Sequence, residues 1–222
     1  MKKRTVLLTG ASRGIGAAIY KKLKTDYNLI IPEREELDLA DNSSIDAFIK
    51  KHKNIKVDII INNAGINFPQ WIEEMSDENI ETTVQINLVA PIRLIRGFVG
   101  NMKKNHWGRI INISSIFGIV ARGKQVLYSA TKHGINGVTQ ALALELAKDN
   151  ILVNSICPGF TKTDLVIKKN SAEKIALLEK DIPLGRLAEP KEIAELVEFL
   201  ISDRNTYITG SSVVIDGGFI TK

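Results

Sequence analysis

Short runs of aliphatic and β-branched residues alternate along the chain with longer segments of helical period. The runs are TVLLT (5–9), NLII (28–31), VDIIIN (57–62), RIINIS (109–114), ILVNSI (151–156) and SVVID (212–216). Amphipathic stretches near 14–24, 42–53, 76–104, 128–148 and 190–202 lie between them, with apolar positions recurring at the spacing of one helix face. Such alternation predicts an α/β, doubly wound chain: a parallel sheet with helices on both faces. No repeat, low-complexity tract or linker divides the sequence, so one domain over 1–222 is expected. Residues 160–189 interrupt the rhythm. They are polar, carry helical spacing in SAEKIALLEKDI and end in Pro and Gly, which suits a flap over a site.

Composition narrows the picture. With 222 residues and 44% apolar content the chain can bury a full core, which excludes a disordered or fibrous protein. The net charge of +5 comes from 30 basic and 25 acidic residues, but the pairs Lys2-Lys3, Lys21-Lys22, Lys50-Lys51, Lys103-Lys104 and Lys168-Lys169 are scattered. Solvated helix faces account for them better than a nucleic-acid footprint, and no nucleic-acid partner is expected. A single cysteine, Cys157, cannot form an internal disulfide, so a reducing, cytoplasmic setting is expected. The opening MKKRTVLLTG has too short an apolar run for a signal peptide, and no stretch has the length of a membrane span.

Several motifs carry candidate chemistry. The first strand runs into TGASRGIGAAI, which puts Gly10, Gly14 and Gly16 at a strand-to-helix turn where a pyrophosphate can approach backbone N–H groups. YSATK sets Tyr128 and Lys132 four apart, on one helix face. An ammonium at about 5 Å, at an effective dielectric of about 20, stabilises a phenolate by roughly 3 kcal/mol, or about two pKa units. The phenol is therefore expected to move toward neutrality as a proton donor or acceptor. Ser114 and Ser115 end the strand RIINIS, where active-site groups of open α/β sheets gather.

Asn87 lies four residues before Pro91, which cannot donate to its carbonyl, so a kink with a free carbonyl is expected there. INNAG (61–65) closes a strand with small residues able to line a nucleotide, or simply to turn. His52, His106 and His133 have no triad or metal-ligand spacing, and no G-x-S-x-G elbow is present, so hydrolase and metalloenzyme readings fall away. Ala130, Gly134, Gly137 and Ala141 recur at helical spacing and suit either a close helix contact or the sheet.

In this order, TGASRGIG, NNAG, QIN, NISS, YSATK, CPGFTKTD and YITGSSVVIDGG resemble the short-chain dehydrogenase/reductase family over essentially the whole chain. IPLGRLAEPKEIAELVEFL is most similar to its 3-oxoacyl-carrier-protein reductases and related carbonyl reductases. The resemblance implies a Rossmann fold and hydride transfer between a nicotinamide and a carbonyl or secondary alcohol, without a metal. It gives Tyr128 the acid/base role, Ser115 a hydrogen bond to the carbonyl oxygen, Lys132 the tyrosine pKa and the nicotinamide ribose, and Asn87 a relay water on its main-chain carbonyl. Around the cofactor it implies Gly10, Ser12, Ile15 and Gly16 at the phosphates and ribose, Asp38 and Leu39 at the adenine, and Asn63, Ala64 and Gly65 at the adenosine ribose. Pro158, Gly159, Thr161 and Thr163 match the carboxamide end. Relatives are commonly tetramers or dimers through the helices at 76–104 and 128–148.

One stretch departs from the family. In NLIIPEREELDLADNSS only residues 32–37 separate the second strand from Asp38, whereas relatives place a helix and a further strand there. That helix is predicted to be missing. Glu33 stands where an NAD site would hold ribose hydroxyls, while Arg34 and Arg13 can clamp a 2′-phosphate, so NADP(H) is favoured over NAD(H) provided Glu33 points away. Some nucleotide-sugar reductases share the shortening. The leading expectation is therefore an NADP(H)-dependent carbonyl reductase, with a 3-oxoacyl thioester as one substrate class. Alternatives are an enzyme of a sugar or other polar metabolite, and a non-catalytic dinucleotide sensor.

Overall fold

The computed structural model describes residues 3–221, the side chains at 165, 168 and 169 excepted. Of the scattered basic pairs, Lys2 and the side chains of Lys168 and Lys169 therefore lie outside the described residues. Six parallel strands form one sheet in the order β2-β1-β3-β4-β5-β6. They are β1 (Thr5–Leu8), β2 (Asn28–Ile30), β3 (Ile59–Asn62), β4 (Gly108–Ile113), β5 (Ile151–Pro158) and β6 (Ser212–Ile215). β1 pairs with β2 through Val6 and Leu29 and with β3 through Val6 and Ile59. The chain thus winds first to one side of β1 and then to the other, which opens a crevice at the carboxyl ends of β1 and β3.

Each strand feeds both faces because successive side chains alternate. Leu7, Ile60, Ile110 and Val153 point into one core with Ile45 and Phe48 of α2 (Asn42–His52), Leu94, Phe98 and Met102 of α4 (Ala90–Lys104), and Ala143 and Leu146 of α5 (Val126–Leu146). Their neighbours Val6, Leu8, Ile59, Ile61, Ile111 and Ile113 point the other way. There they meet Ile19 and Leu23 of α1 (Gly14–Leu23) and Ile193, Val197 and Leu200 of α8 (Pro190–Ile201). Near-continuous apolar strands are what a sheet covered on both faces requires.

Helix starts follow local chemistry. Asp41 caps α2 by accepting from Ser43 N, and Ser76 caps α3 (Asp77–Val84) by accepting from Asn79 N. The single helix expected over 76–104 is divided. A π-helical turn, Gln85–Val89, separates α3 from α4, with Ala90 N donating to Gln85 O. Pro91, which cannot donate to the carbonyl four residues back, sits just beyond it, so the expected kink takes the form of a widened turn.

Residues 160–189 hold two short helices, α6 (Asp164–Lys169) and α7 (Ala172–Lys180). No helix stands between β2 and Asp38, as predicted. A single turn remains, closed by Leu37 N to Glu33 O at 3.0 Å, and its Leu37 side chain drops into the core. β2 is consequently the sheet edge.

Candidate active site

A cleft of about 1230 Å³ occupies the crevice. The glycine turn after β1 forms its floor. Gly10 takes a left-handed φ of 68°, and a Cβ on Gly16 would lie 2.0 Å from Gly10 O, so the turn has no room for a side chain there. Asn63, just past β3, stitches the turn in place. Its Nδ2 donates to Thr9 O and to Gly10 O, both at 2.9 Å, while Thr9 Oγ1 accepts from Asn63 N and Ala64 N at 3.1 Å. Arg13 precedes α1 without a side-chain cap, and no acidic residue stands in the first turn, so the helix start presents backbone N–H groups with no internal partner. That is the chemistry an anionic diphosphate fits.

Of the residues expected at a cofactor, Gly10, Ser12, Arg13, Ile15, Gly16, Arg34, Asp38, Leu39, Asn63, Ala64, Gly65 and Thr163 line this cleft. Pro158, Gly159, Thr161, Tyr128 and Lys132 do not. Gly159 is pressed against Asp216, where a Cβ would come within 2.7 Å of its Cα, and Thr161 Oγ1 turns back to Gly159 O at 3.1 Å. Tyr20, Pro32, Phe68, Thr82 and Ile86 also line the cleft and were not anticipated. Tyr20 had a signal, since it falls four residues after Gly16 on the same face of α1.

The proton-handling groups meet at the adjoining end of β4 and the start of α5. A polar ladder holds α5 on the sheet: Asn62 Nδ2 to Asn112 Oδ1 at 2.9 Å, Asn112 Nδ2 to Thr139 Oγ1 at 2.9 Å, and Thr139 Oγ1 against Ser155 Oγ at 2.7 Å. About three turns back along α5, Tyr128 stands beside Ser115, whose side chain pulls the phenol pKa down. Ser114 turns away and donates to Lys132 O at 3.2 Å. Lys132 is 4% exposed, donates from Nζ to Ile113 O at 2.8 Å and lies 5.5 Å from the centre of the Tyr128 ring. Asn87, 2% exposed, ties the post-β3 loop to α5: its Oδ1 accepts from Ile66 N at 2.9 Å, and its Nδ2 donates to Ile66 O at 2.9 Å and Thr131 Oγ1 at 3.2 Å.

The electrostatics correct one expectation. Burial pushes the Tyr128 phenol up to about 12, against a smaller downward pull from the Ser115 hydrogen bond. Burial likewise lowers Lys132 to about 8, with a smaller upward pull from Cys157. The loss of water around the phenolate outweighs what the i, i+4 spacing to the Lys132 charge predicts. The ammonium is also directed at the Ile113 carbonyl.

On the other flank, Phe117 stands edge-on to Tyr128 at 6.5 Å and to Phe160 at 6.3 Å, and Phe160 meets Phe219 at 5.2 Å. Cys157 is a buried thiol raised first by burial, beside Asn136 and Ser114. Ala130, Gly137 and Ala141 lie on the exposed face of α5 rather than on the sheet, with Leu144 beside them at 85% exposure. Gly134 meets Leu88 of the π-helical turn. Among the described residues no helix is long and apolar enough to cross a membrane.

A doubly wound parallel sheet, a glycine turn at its switch point and a Ser–Tyr–Lys group at the strand ends define a nicotinamide-dependent oxidoreductase. The comparisons agree. A family described as enoyl-(acyl carrier protein) reductase matches residues 5–220. A 3-oxoacyl-[acyl-carrier-protein] reductase of Rickettsia felis is 38% identical, over 98% of this chain and 97% of that protein. Among solved structures, a putative NAD(P)-dependent gluconate 5-dehydrogenase from Beutenbergia cavernae with bound NADP superposes with a TM-score of 0.93. It is 28% identical and covers 99% of this chain and 97% of that one. A 4-hydroxyisoleucine dehydrogenase complexed with NADH gives 0.90 at 30% identity, over 99% and 100%. The chain belongs to the short-chain dehydrogenase/reductase family and is an NAD(P)-dependent oxidoreductase.

Proposed function

We propose that this protein is an NADP(H)-preferring carbonyl reductase whose substrates are 3-oxoacyl thioesters. The observation that carries the reading is the convergence of Tyr128, Ser115 and a buried Lys132 at the end of β4, next to Gly65 of a dinucleotide-sized cleft. Bound there, the nicotinamide supplies or accepts a hydride. Gly10, Ser12, Ile15 and Gly16 would hold its diphosphate, Asn63, Ala64 and Gly65 the adenosine ribose, Asp38 and Leu39 the adenine. Thr163, with Pro158, Gly159 and Thr161 behind it, would meet the carboxamide.

Ser115 Oγ and Tyr128 Oη would together donate to the substrate carbonyl oxygen, polarising it and fixing its place. Tyr128 then gives up its proton to the forming alkoxide. A phenol raised to about 12 is protonated at neutral pH and so enters the reduction as the acid. Lys132 would stabilise the phenolate left behind and contact the nicotinamide ribose. The Asn87 carbonyl, to which Pro91 offers no N–H, would hold the water that returns a proton. The aromatic wall of Phe117, Phe160 and Phe219 suits an acyl chain, and the name carried by the Rickettsia relative supports that class. Arg13 and Arg34 on the cleft wall support NADP(H), two guanidiniums against Glu33, which lines the same cleft.

Tyr128→Phe should abolish turnover while leaving NADPH binding within about threefold; an active variant would sink the mechanism. Turnover of a short 3-oxoacyl thioester should exceed that of keto-sugars, and the reverse order would assign the protein to polar metabolites. A wild-type preference for NADH above about tenfold would overturn the cofactor choice. We also read the small-residue face of α5 with Leu144 as a self-association surface in a cytoplasmic homo-oligomer. Leu144→Arg should then lower the mass seen by light scattering.

A further inference from the structure

We infer that Arg34 and Asp38 form a latch that discriminates between the two dinucleotides: closed on itself, it occupies the adenine end of the cleft, and a 2′-phosphate opens it. The inference rests on the reading of the cleft as a dinucleotide site. It follows from the missing helix, which leaves a single turn between β2 and Asp38 and so sets Arg34 four residues from it. Both side chains line the cleft, and Arg34 Nε donates to Asp38 Oδ2 at 3.3 Å.

The two partners differ in freedom. Asp38 is fixed, because its Oδ1 accepts from Ala40 N at 2.9 Å and its own N donates to Ser44 Oγ at 2.9 Å. Oδ2 is the oxygen left to face the cleft. Arg34 is 80% exposed and commits one of its five N–H donors to a long contact, so its guanidinium can move. A 2′-phosphate offers that guanidinium a bidentate, doubly charged partner, stronger than the contact it gives up. The swing frees Asp38 Oδ2 to accept from the amino group of the adenine. A ribose carrying only a 2′-hydroxyl offers Arg34 no such partner, so the latch opposes that ligand without compensation. An exposed pair of this kind shifts an equilibrium by about two- to fivefold.

Fluorescence titration of the full chain with NADPH and with NADH tests this. Arg34→Ala, at so exposed a position, leaves the fold intact. It should weaken NADPH about tenfold or more, since hydrogen bonds between charged partners are lost, and tighten NADH by about two- to fivefold. In an Asp38→Asn background, where the amide oxygen still accepts from Ala40 N but carries no charge, Arg34→Ala should bring no gain for NADH. If both nucleotides bind the wild type and Arg34→Ala leaves NADH unchanged or weaker, the latch is refuted and the dinucleotide site stands. If neither nucleotide binds the wild type, both fail.

Discussion

Asn87→Ala tests how the post-β3 loop is held against α5. The amide is the hydrogen-bond partner of both Ile66 N and Ile66 O and reaches Thr131 Oγ1 as well, at 2.9, 2.9 and 3.2 Å. Alanine removes all three contacts and orphans two backbone groups of a half-buried residue. An unsatisfied buried polar group costs about 1–3 kcal/mol. With water reaching part of the loop, the lower half of that range applies to each group, giving about 2–4 kcal/mol in total. For a chain of this size that lowers Tm by about 5–15 °C. Urea unfolding followed by far-UV circular dichroism measures the loss, and NADPH titration should register a weaker site, because the same loop carries Asn63, Ala64 and Gly65. Thr131→Val removes the longer contact without orphaning Ile66 and should cost about 1 kcal/mol. A loss below about 0.5 kcal/mol in Asn87→Ala, within the range of ordinary surface changes, would refute the account of how the loop is anchored.

Other outcomes follow from the same geometry. Gly16→Ala forces a methyl against Gly10 O and Asn63 Nδ2, at 2.0 and 2.5 Å, and should cost at least about 2 kcal/mol and abolish NADPH binding; a stable, binding variant would contradict the turn. Lys132 has its pKa lowered in the fold from 10.5 to about 8, so between those values the unfolded chain binds more protons and stability rises with pH. The urea midpoint of the wild type relative to Lys132→Met should therefore climb from pH 8 to 10, and a flat difference would count against the buried ammonium. Tyr128 is raised from 10.0 to about 12, so its contribution is present below pH 10 and fades as pH climbs toward 12.

The sheet was legible because each strand must satisfy two apolar faces, which leaves runs such as VDIIIN and ILVNSI no other use. The glycine turn and Asn63–Ala64–Gly65 were legible for a related reason: close backbone approach excludes side chains. The π-helical turn announced itself only through Pro91, since the apolar period runs on through both flanking helices. α6 was not foreseen, being six residues in a polar stretch. The pKa of Tyr128 is not legible in the sequence, because spacing gives the distance to a charge and says nothing of the water lost around the phenol. Phe68 reached the cleft wall by packing that no local pattern encodes, whereas Tyr20 shares a helix face with Gly16.

The ladder from Asn62 through Asn112 and Thr139 to Ser155 bears on how the sheet is assembled. Parallel strands must find one another across long stretches of chain, and apolar side chains alone tolerate neighbouring alignments. A slip of β4 by one residue would turn Asn112 to the opposite face and strand its amide among Ile and Val, away from both Asn62 and Thr139. The ladder therefore acts as a proofreader: misaligned sheets strand the Asn112 amide in oil, and the alignment that pairs it at both ends is the one that brings Tyr128 beside Ser115.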